Sequence, residues 1–346
     1  MESTGSGLSY RDAGVDRDAG GRAKRRIVEH VRSTASASVV SEPGSFGGLF
    51  RVPTGYSSPV LVSSADGVGT KIKVAMRAGR HDTVGEDLVN HCVNDILVEG
   101  AKPLFFLDYI GIGDIEEEVV EALVAGVARG CRANGCALIG GETAQMPDIY
   151  SPGEYDLAGF IVGILDEPKR LGAQLVRPGD RLIGLASSGF HTNGYSLLRR
   201  LFFDQMGLDV GDPYPGLDAT VGDVLLTVHR SYLPALGPIV ESGQVHALAH
   251  ITGGGIPENL ARVIPDGLTA RVDRGTWRPP AEFVAVMEHG RVDAEEMFQT
   301  FNMGVGMIAV VAPEHAAHVL EALNAAGERA WFAGEVVEGA RRVELT

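Results

Sequence analysis

Three acidic residues of this sequence stand where they could hold a divalent cation. Asp66 follows a short apolar strand, and Glu142 follows another apolar strand through two glycines. Asp95 belongs to a segment with helical periodicity. Carboxylate oxygens are the ligands that Mg²⁺ prefers, and a cation on a polyphosphate needs such partners. We predict a magnesium site formed by Asp66, Asp95 and Glu142, although Glu142 taken singly could be a surface acid.

The segment 63–71, SSADGVGTK, places two glycines and a lysine beside the first of these carboxylates. Gly67 and Gly69 let backbone N–H groups approach an anion, and Lys71 would supply a positive charge nearby. The pattern predicts a phosphate-binding loop. The alternative is an Asp-Gly turn within a hairpin.

The segment 87–97 has helical periodicity and an unusual polar stripe. At about 100° per residue the polar side chains fall within an arc of roughly 140°. They are Asp87, Asn90, His91, Asn94 and Asp95. Asn, Asp and His are poorer helix formers than the residues usual on a solvated helix face. We therefore expect a wet, functional face, with a plainly solvated face as the alternative.

Two polar loops in the carboxyl-terminal half lead into helices. The first is 187–194, SSGFHTNG, and the second is 252–257, TGGGIP. Helix amino termini preceded by glycine are anion sites, so the loop containing Gly253, Gly254 and Gly255 predicts phosphate binding, with an ordinary tight connection as the alternative. His191 is a candidate for proton transfer, and the alternative is a solvent-exposed or hydrogen-bonding histidine.

Several functional classes are excluded or disfavoured. The net charge of −15 argues against a nucleic-acid partner. The sequence has no GK dipeptide and hence no P-loop, and the GxGxxA match at 304–309 precedes an apolar strand instead of following one. The three cysteines form no CxxC pair, which disfavours a zinc site or a disulfide framework.

No apolar run approaches the ~20 residues that span a bilayer, so we expect no membrane partner. Residues 1–7 are polar and do not resemble a signal peptide, which predicts a cytoplasmic location.

Alternating helix and strand patterns place these residues in two mixed α/β halves. Strands are expected at 61–64, 103–112, 137–139, 156–165, 181–186 and 245–251, and helices at 85–100, 115–134, 195–206 and 224–236. The stretch 166–180 is rich in Pro and Gly and has no sustained period. We place a domain boundary there, giving domains 1–167 and 168–346.

The motifs together resemble the phosphoribosylformylglycinamidine cyclo-ligase, or AIR synthetase, family. The matching segments are SYRDAGVD from Ser9, FGGLF from Phe46, ADGVGTK from Ala65, VNDILVEGAKPLFFLDY from Val93, GGETAQMP from Gly140, SSGFHTNGYSLLR from Ser187, HITGGGIPENL from His250 and FNMGVGM from Phe301. The resemblance implies an amino-terminal domain whose sheet pairs with that of a second subunit, a carboxyl-terminal α/β domain and active sites shared across a homodimer.

The resemblance also implies a reaction. ATP phosphorylates the formyl amide oxygen of formylglycinamidine ribonucleotide, and ring closure gives aminoimidazole ribonucleotide, ADP and phosphate in purine biosynthesis. Three residues would be catalytic: His191, Lys71 and Asp95. The ATP-binding residues would be Gly47, Gly48, Asp66, Gly67, Gly69, Thr70, Lys71, Asn94 and Gly141. Substrate would contact Ser187, Ser188, Gly189, His191, Asn193, Gly253, Gly254 and Gly255, and Mg²⁺ would bind Asp66, Asp95 and Glu142.

Two other readings are open. The chain could be another ATP-dependent phosphoryl-transfer enzyme of the same superfamily, such as a thiamine-monophosphate kinase, or a non-catalytic nucleotide-binding regulator. The in-order motifs disfavour the first, and the retained acids and glycines disfavour the second.

The run Leu104-Phe105-Phe106-Leu107 is apolar on both faces of its expected strand. A sheet with one wet side would not need such a run. We expect strands 61–64 and 103–112 to form the apolar pairing surface of an obligate homodimer.

Overall fold

A computed structural model describes residues 8–346 of the chain. The segment 1–7, where we expected no signal peptide, lies outside the described residues. Among the residues that the structure describes, no helix is both long and apolar enough to cross a membrane.

Between residues 8 and 167 the amino-terminal half forms four α-helices and one four-stranded sheet. The elements are α1 (Arg17–Arg32), β1 (Pro59–Gly67), α2 (Lys71–Ala78), α3 (Asp82–Leu97), β2 (Lys102–Ile112), α4 (Glu117–Ala133), β3 (Ala137–Gln145) and β4 (Tyr155–Asp166). The strand order is β1-β4-β2-β3, in which β2 and β3 are parallel and the other pairs antiparallel. β1 and β3 are therefore the two edges of this sheet.

Helix α3 is pressed against α4 at two glycines. A Cβ atom on Gly85 would lie 2.2 Å from the carbonyl oxygen of Leu123, and one on Gly126 would lie 1.9 Å from that of Asp82. No side chain fits at either position, so the two backbones meet directly. This crossing holds α3 over the inner face of the sheet, where its polar residues can meet β1.

The outer face of the same sheet is apolar and partly open. Phe105 and Leu107 of β2 lie in register with Val162 and Phe160 of β4, and these side chains share that face. Phe160 is 44% exposed and Leu61 is 60% exposed. Phe106, between Phe105 and Leu107, points inward and is fully buried. The run 104–107 thus contributes apolar side chains to both faces, as its sequence predicts.

The carboxyl-terminal half is built on a six-stranded sheet. Its elements are β5 (Arg181–Ala186), α5 (Tyr195–Arg199), α6 (Val221–Leu225), α7 (Leu233–Glu241), β6 (Val245–His250), α8 (Gly255–Ala261), β7 (Leu268–Val272), α9 (Ala281–Gly290), α10 (Ala294–Thr300), β8 (Val305–Val311), α11 (Pro313–Ala325), β9 (Ala330–Glu338) and β10 (Arg342–Leu345). The strand order is β10-β7-β9-β5-β8-β6. Every residue of β8 is buried, so β8 lies in the core of this half.

Two sequence expectations need correction, and two helices were missed. The helix expected over 224–236 is wrong: α6 ends at Leu225, residues 226–232 are irregular, and α7 begins at Leu233 next to Pro234. The glycine-rich segments after the first and third strands belong largely to β1 and β3, which run on to Gly67 and Gln145. Helices α1 and α2 were not anticipated. The helix expected over 195–206 is present, with its second half, Arg200–Gln205, wound as a π-helix.

Candidate functional site

The polar stripe of α3 lies between the two halves of the protein. Asp87, Asn90, His91 and Asn94 are buried, and only the Asp95 side chain retains 25% exposure. The expectation of a wet face is therefore wrong for four of the five residues. The stripe is polar because it faces irregular backbone from the other half.

That backbone is the segment 226–232. Asn90 Nδ2 donates to the carbonyl oxygen of His229 at 2.8 Å, and Asn94 Nδ2 donates to that of Arg230 at 2.8 Å. The Tyr232 N–H donates to Asn94 Oδ1 at 3.0 Å, and the His229 N–H donates to Asp87 Oδ1 at 2.6 Å. Irregular buried backbone must find hydrogen-bond partners outside itself, and α3 supplies them.

Lys71 lies at the centre of this junction. Its side chain is fully buried, and its Nζ atom lies 2.8 Å from Asp87 Oδ2. Nζ also donates to the carbonyl oxygens of Thr227 at 2.7 Å and His191 at 3.1 Å. The expectation that Lys71 offers a free positive charge to a phosphate is wrong for this arrangement, because its ammonium group is enclosed. Burial lowers the pKa of Lys71, against the charge of Asp87.

The predicted carboxylates of β1 and α3 do come together, and each is paired with a histidine. Asp66 Oδ2 lies 2.9 Å from His91 Nε2, and Asp95 Oδ1 lies 2.9 Å from His250 Nδ1. Ser64 Oγ donates to Asp95 Oδ2 at 3.1 Å. Burial would raise the pKa of both carboxyl groups, but their histidine partners outweigh it and lower each pKa. Both groups are thus ionised at neutral pH.

Two further histidines join this cluster. The rings of His191 and His229 stack with their centroids 3.9 Å apart and an interplanar angle of 18°. His229 Nε2 lies 3.0 Å from His250 Nε2. Desolvation is the largest cause that lowers the pKa of His191 and of His229 well below the usual value, so both rings are neutral at pH 7.

His191 is held in an unusual backbone conformation, with φ of 58°. Its Nε2 accepts a hydrogen bond from the Ser188 N–H at 3.2 Å, and its buried Nδ1 has no partner. Gly306 lies under the ring: a Cβ there would approach His191 Cε1 to 2.6 Å and Tyr232 Oη to 1.9 Å. The alternative of an exposed loop histidine is therefore wrong, since His191 is buried.

The predicted phosphate and substrate loops meet beside these histidines. Thr70 Oγ1 lies 3.2 Å from Ser196 Oγ, so the loop after β1 touches the start of α5. A Cβ on Gly253 would lie 3.4 Å from Asn193 Oδ1, which puts the triple-glycine loop beside 187–194. Asn259 fixes that loop by donating to the carbonyl oxygens of Thr252, Gly253 and Gly255.

The remaining nucleotide and metal candidates lie at the opposite edge of the sheet. Glu142 is exposed on the outer face of β3, three strands from β1, or about 14 Å. Gly48 is beside β3 too, because a Cβ there would lie 2.8 Å from Ile139 Cδ1. Within one chain Glu142 therefore does not join Asp66 and Asp95, which corrects the expected three-carboxylate set.

Gly141 has a different local role. A Cβ at this position would lie 2.0 Å from Asp108 Oδ1, so only glycine leaves room for that carboxyl group. Burial raises the pKa of Asp108 to about 7.

Sequence reasoning missed His229, which it placed inside a helix, gave no role to His250, and gave His91 no role beyond its place on the polar stripe. The available signal was the polar stripe itself. Five polar residues on a helix of a well-packed protein require buried polar partners, and histidine is a frequent one.

Comparison with known proteins gives agreement over nearly the whole chain. The family model "AIR synthase related protein, N-terminal domain" matches residues 48–165, and "AIR synthase related protein, C-terminal domain" matches 177–345. The phosphoribosylformylglycinamidine cyclo-ligases of Sorangium cellulosum and Trichlorobacter lovleyi are 50% and 48% identical over 332 and 329 residues. These alignments cover 95% of the chain in both cases, and 95% and 94% of the relatives.

Solved structures share the fold at low identity. A thiamine-monophosphate kinase from Stenotrophomonas maltophilia has a TM-score of 0.72 at 17% identity, covering 92% of this chain and 95% of that one. A hydrogenase maturation protein in complex with ATP has a TM-score of 0.65 at 19% identity, covering 94% and 92%. At this identity the likeness concerns the fold alone.

Proposed function

The chain belongs to the family of phosphoribosylformylglycinamidine cyclo-ligases, and from this premise we propose which of its residues carry out the family's reaction. The protein is an ATP-dependent ligase that closes the ring of formylglycinamidine ribonucleotide, giving aminoimidazole ribonucleotide, ADP and phosphate in purine biosynthesis. The observation that carries the residue assignment is the meeting of two ionised carboxylates with the 187–194 loop at one histidine cluster.

The chemistry requires an activated oxygen and a base. The formyl amide oxygen bonds to the γ-phosphorus of ATP while the bond to ADP breaks. The ring-forming nitrogen of the substrate then attacks the formyl carbon, the C–O bond breaks, and phosphate leaves. The attacking nitrogen loses a proton, which a neutral imidazole can accept.

His191 is the base that we propose. Its ring is neutral because burial removes its solvation, and the base atom is Nε2, which would exchange its 3.2 Å hydrogen bond from the Ser188 N–H for the substrate proton. It belongs to the same loop as the proposed substrate contacts Ser187, Ser188, Gly189 and Asn193, which lies against Gly253, Gly254 and Gly255.

Magnesium is proposed as the ion that accompanies ATP, with Asp66 and Asp95 as its ligands on this chain. Both are ionised oxygen donors with partly exposed side chains, which fits a divalent cation. Bound there, the ion would neutralise charge on the transferring phosphoryl group. Gly67, Gly69 and Thr70 are proposed ATP-binding residues on the same side of the sheet. The expected ATP contact Asn94 is left out of this set, because its fully buried amide is bonded to the main chain of Arg230 and Tyr232.

We propose that a homodimer completes the site. Gly141 and Glu142 belong to β3, and Gly48, the neighbour of Gly47 in the sequence, contacts Ile139 of β3, whereas Asp66 lies on β1 at the opposite edge of the same sheet. Packing the apolar outer faces of two amino-terminal sheets would let Glu142 of the partner subunit serve the site that contains Asp66. The charge introduced by Phe160→Glu should then separate the subunits. This variant should sediment as a monomer at assay concentration and be inactive. A fully active monomeric wild type would overturn this part of the proposal.

Turnover assays test the residue assignment. Asp66→Ala and Asp95→Ala should each lower formation of the aminoimidazole product by orders of magnitude with the fold intact, whereas Asp218→Ala, at an exposed position, should not. Near-normal rates with unchanged magnesium dependence in both would show the metal assignment to be wrong.

His191→Ala should lower the rate with little change in ATP affinity, and the exposed His318→Ala is its control. An unchanged rate, or a loss of ATP binding alone, would contradict the role of His191. ATP binding without turnover, or phosphorylation of thiamine monophosphate in its place, would favour the rival functions. The cytoplasmic location and the absence of a nucleic-acid partner stay predictions.

A further inference from the structure

We propose that His91, Asp95 and His250 form a three-donor site, with Asp66 beside His91, that binds a divalent transition metal, such as Mn²⁺, Co²⁺ or Zn²⁺, more tightly than Mg²⁺. The inference rests on the proposed metal role of Asp95 and adds the two imidazoles as ligands. His91 Nε2 lies 2.9 Å from Asp66 Oδ2 and 3.7 Å from Asp95 Oδ2, and His250 Nδ1 lies 2.9 Å from Asp95 Oδ1. His91, Asp95 and His250 can each place one ligand atom within 4.8 Å of the other two, which allows a single ion with bonds of about 2.0–2.2 Å to contact all three, with water in its other positions.

The hydrogen bonds around His250 favour a cation between its ring and Asp95. The amide of Asn94 is oriented by its contacts with the Arg230 carbonyl and the Tyr232 N–H, so Nδ2 is its donor atom. That Nδ2 lies 3.3 Å from His229 Nε2, which makes His229 Nε2 an acceptor. The proton between the two histidines, whose Nε2 atoms are 3.0 Å apart, then belongs to His250.

In the metal-free protein a second hydrogen on Nδ1 joins His250 to the Asp95 carboxylate; without that hydrogen, the Nδ1 lone pair faces the carboxylate. Two acceptors 2.9 Å apart repel each other unless a proton or a metal ion lies between them. A metal ion satisfies both and leaves every other contact of His250 and His229 unchanged.

His91 has the matching arrangement. Its Nδ1 lies 2.9 Å from Thr192 Oγ1, which can accept the hydrogen and leave Nε2 free for a metal. The same hydroxyl lies 3.4 Å from His229 Nδ1, whose hydrogen it can also accept. Metal-bound histidines almost always donate their second ring N–H in this way, and such partners set the tautomer.

Donor chemistry decides which ion is preferred. Magnesium takes oxygen ligands and keeps several waters, whereas imidazole suits later divalent ions. Both histidines are about 5% exposed, but the Asp66 side chain is 44% exposed, so an ion can enter from the carboxylate side. The neighbouring trio His191, His229 and His250 is a poorer site, because stacked rings direct their in-plane lone pairs in parallel.

Metal titration of the full-length protein tests the proposal without ATP. Chelator-treated protein is titrated with Co²⁺, followed by visible absorption, and with Mn²⁺, Zn²⁺ and Mg²⁺ by calorimetry. We expect one Co²⁺ per chain with nitrogen-ligand absorption bands, and tighter binding of all three transition ions than of Mg²⁺. Equal affinity for Mg²⁺ and Co²⁺, or no saturable site, would overturn the proposal.

Variants locate the site. His91→Ala and His250→Ala should each abolish the Co²⁺ bands, with His91→Asn and His250→Gln as conservative replacements whose fold is checked by circular dichroism. Thr192→Val should weaken binding by about tenfold. His246→Ala is the matched control, because His246 pairs with a single carboxylate, Asp180, at 2.7 Å. Binding that survives in both histidine variants would refute the site.

Turnover with ATP and magnesium is measured on the same preparations. Normal product formation without transition-metal binding would refute this inference and leave the proposed function intact. Metal binding without product formation would do the reverse.

Discussion

Removing the buried Lys71 ammonium should destabilise the protein far more than removing its exposed neighbour. In Lys71→Met, Asp87 would keep a buried charge without a partner, or take up a proton. Protonating a carboxyl group of ordinary pKa at pH 7 costs about 4 kcal/mol, since each of roughly three pH units costs about 1.4 kcal/mol. We therefore expect a loss of about 3–5 kcal/mol in the free energy of unfolding, the range measured when one partner of a buried pair is removed.

The matched control is Lys73→Met on the same helix. Lys73 pairs with Glu154, but its side chain is 36% exposed, so its loss should cost about 1 kcal/mol or less. Urea unfolding at pH 7 and pH 5 measures both variants. The difference in free energy of unfolding between Lys71→Met and wild type should be smaller at pH 5, where protonating Asp87 costs less free energy. The double variant Lys71→Met/Asp87→Leu should recover part of the lost stability. Equal losses in the two single variants would refute the reasoning.

Three further predictions concern the core of each half. His191 and His229 have folded pKa values below the unfolded value of about 6.5. The stability that each contributes is therefore present above pH 6.5 and falls by about 1.4 kcal/mol per pH unit as the pH drops towards the folded pKa. Urea midpoints of His229→Asn should fall less steeply than those of wild type between pH 6.5 and 5, and an identical slope would contradict this. Asp108 has a folded pKa raised to about 7, so the stability that it contributes below pH 4 is lost as the pH rises through 7. Asp108→Asn should therefore raise the thermal midpoint more at pH 8 than at pH 5. The opposite order would be inconsistent with a buried carboxyl group. Gly306→Ala should lower kcat as well as the free energy of unfolding, because the added Cβ would displace the His191 ring. An unchanged kcat would show that the position of this ring is not critical.

Local patterns in the sequence predicted much of the fold. The apolar alternation of β2, β4, β5 and β6 located these strands, and the helical period located α3 and α4. Such patterns depend on neighbouring residues alone, so they survive without knowledge of the tertiary structure. The prediction of a helix over 224–236 was wrong because the apolar spacing in that stretch comes from an irregular segment buried against α3. No local pattern reveals such long-range packing.

The site was predicted less completely than the fold. Asp66 and Asp95 were found because carboxylates near glycines and on a polar helix stripe are locally unusual. The separation of Glu142 depends on the strand order β1-β4-β2-β3, which follows from pairing between distant segments. The enclosure of Lys71 depends on backbone carbonyls at residues 191 and 227, more than a hundred positions along the chain.

The buried polar stripe of α3 also limits how the two halves can be exchanged. Asn90 and Asn94 form hydrogen bonds with the main chain of residues 226–232. The buried polar groups of each half therefore depend on the other half for their partners. An isolated amino-terminal half would expose these amides and the Lys71–Asp87 ion pair, which are buried in the whole protein. A chimera that joins residues 1–167 to the second half of a distant relative should fold only if the relative's segment equivalent to 226–232 has the same backbone conformation. This short irregular segment thus decides which halves can be combined within the fold.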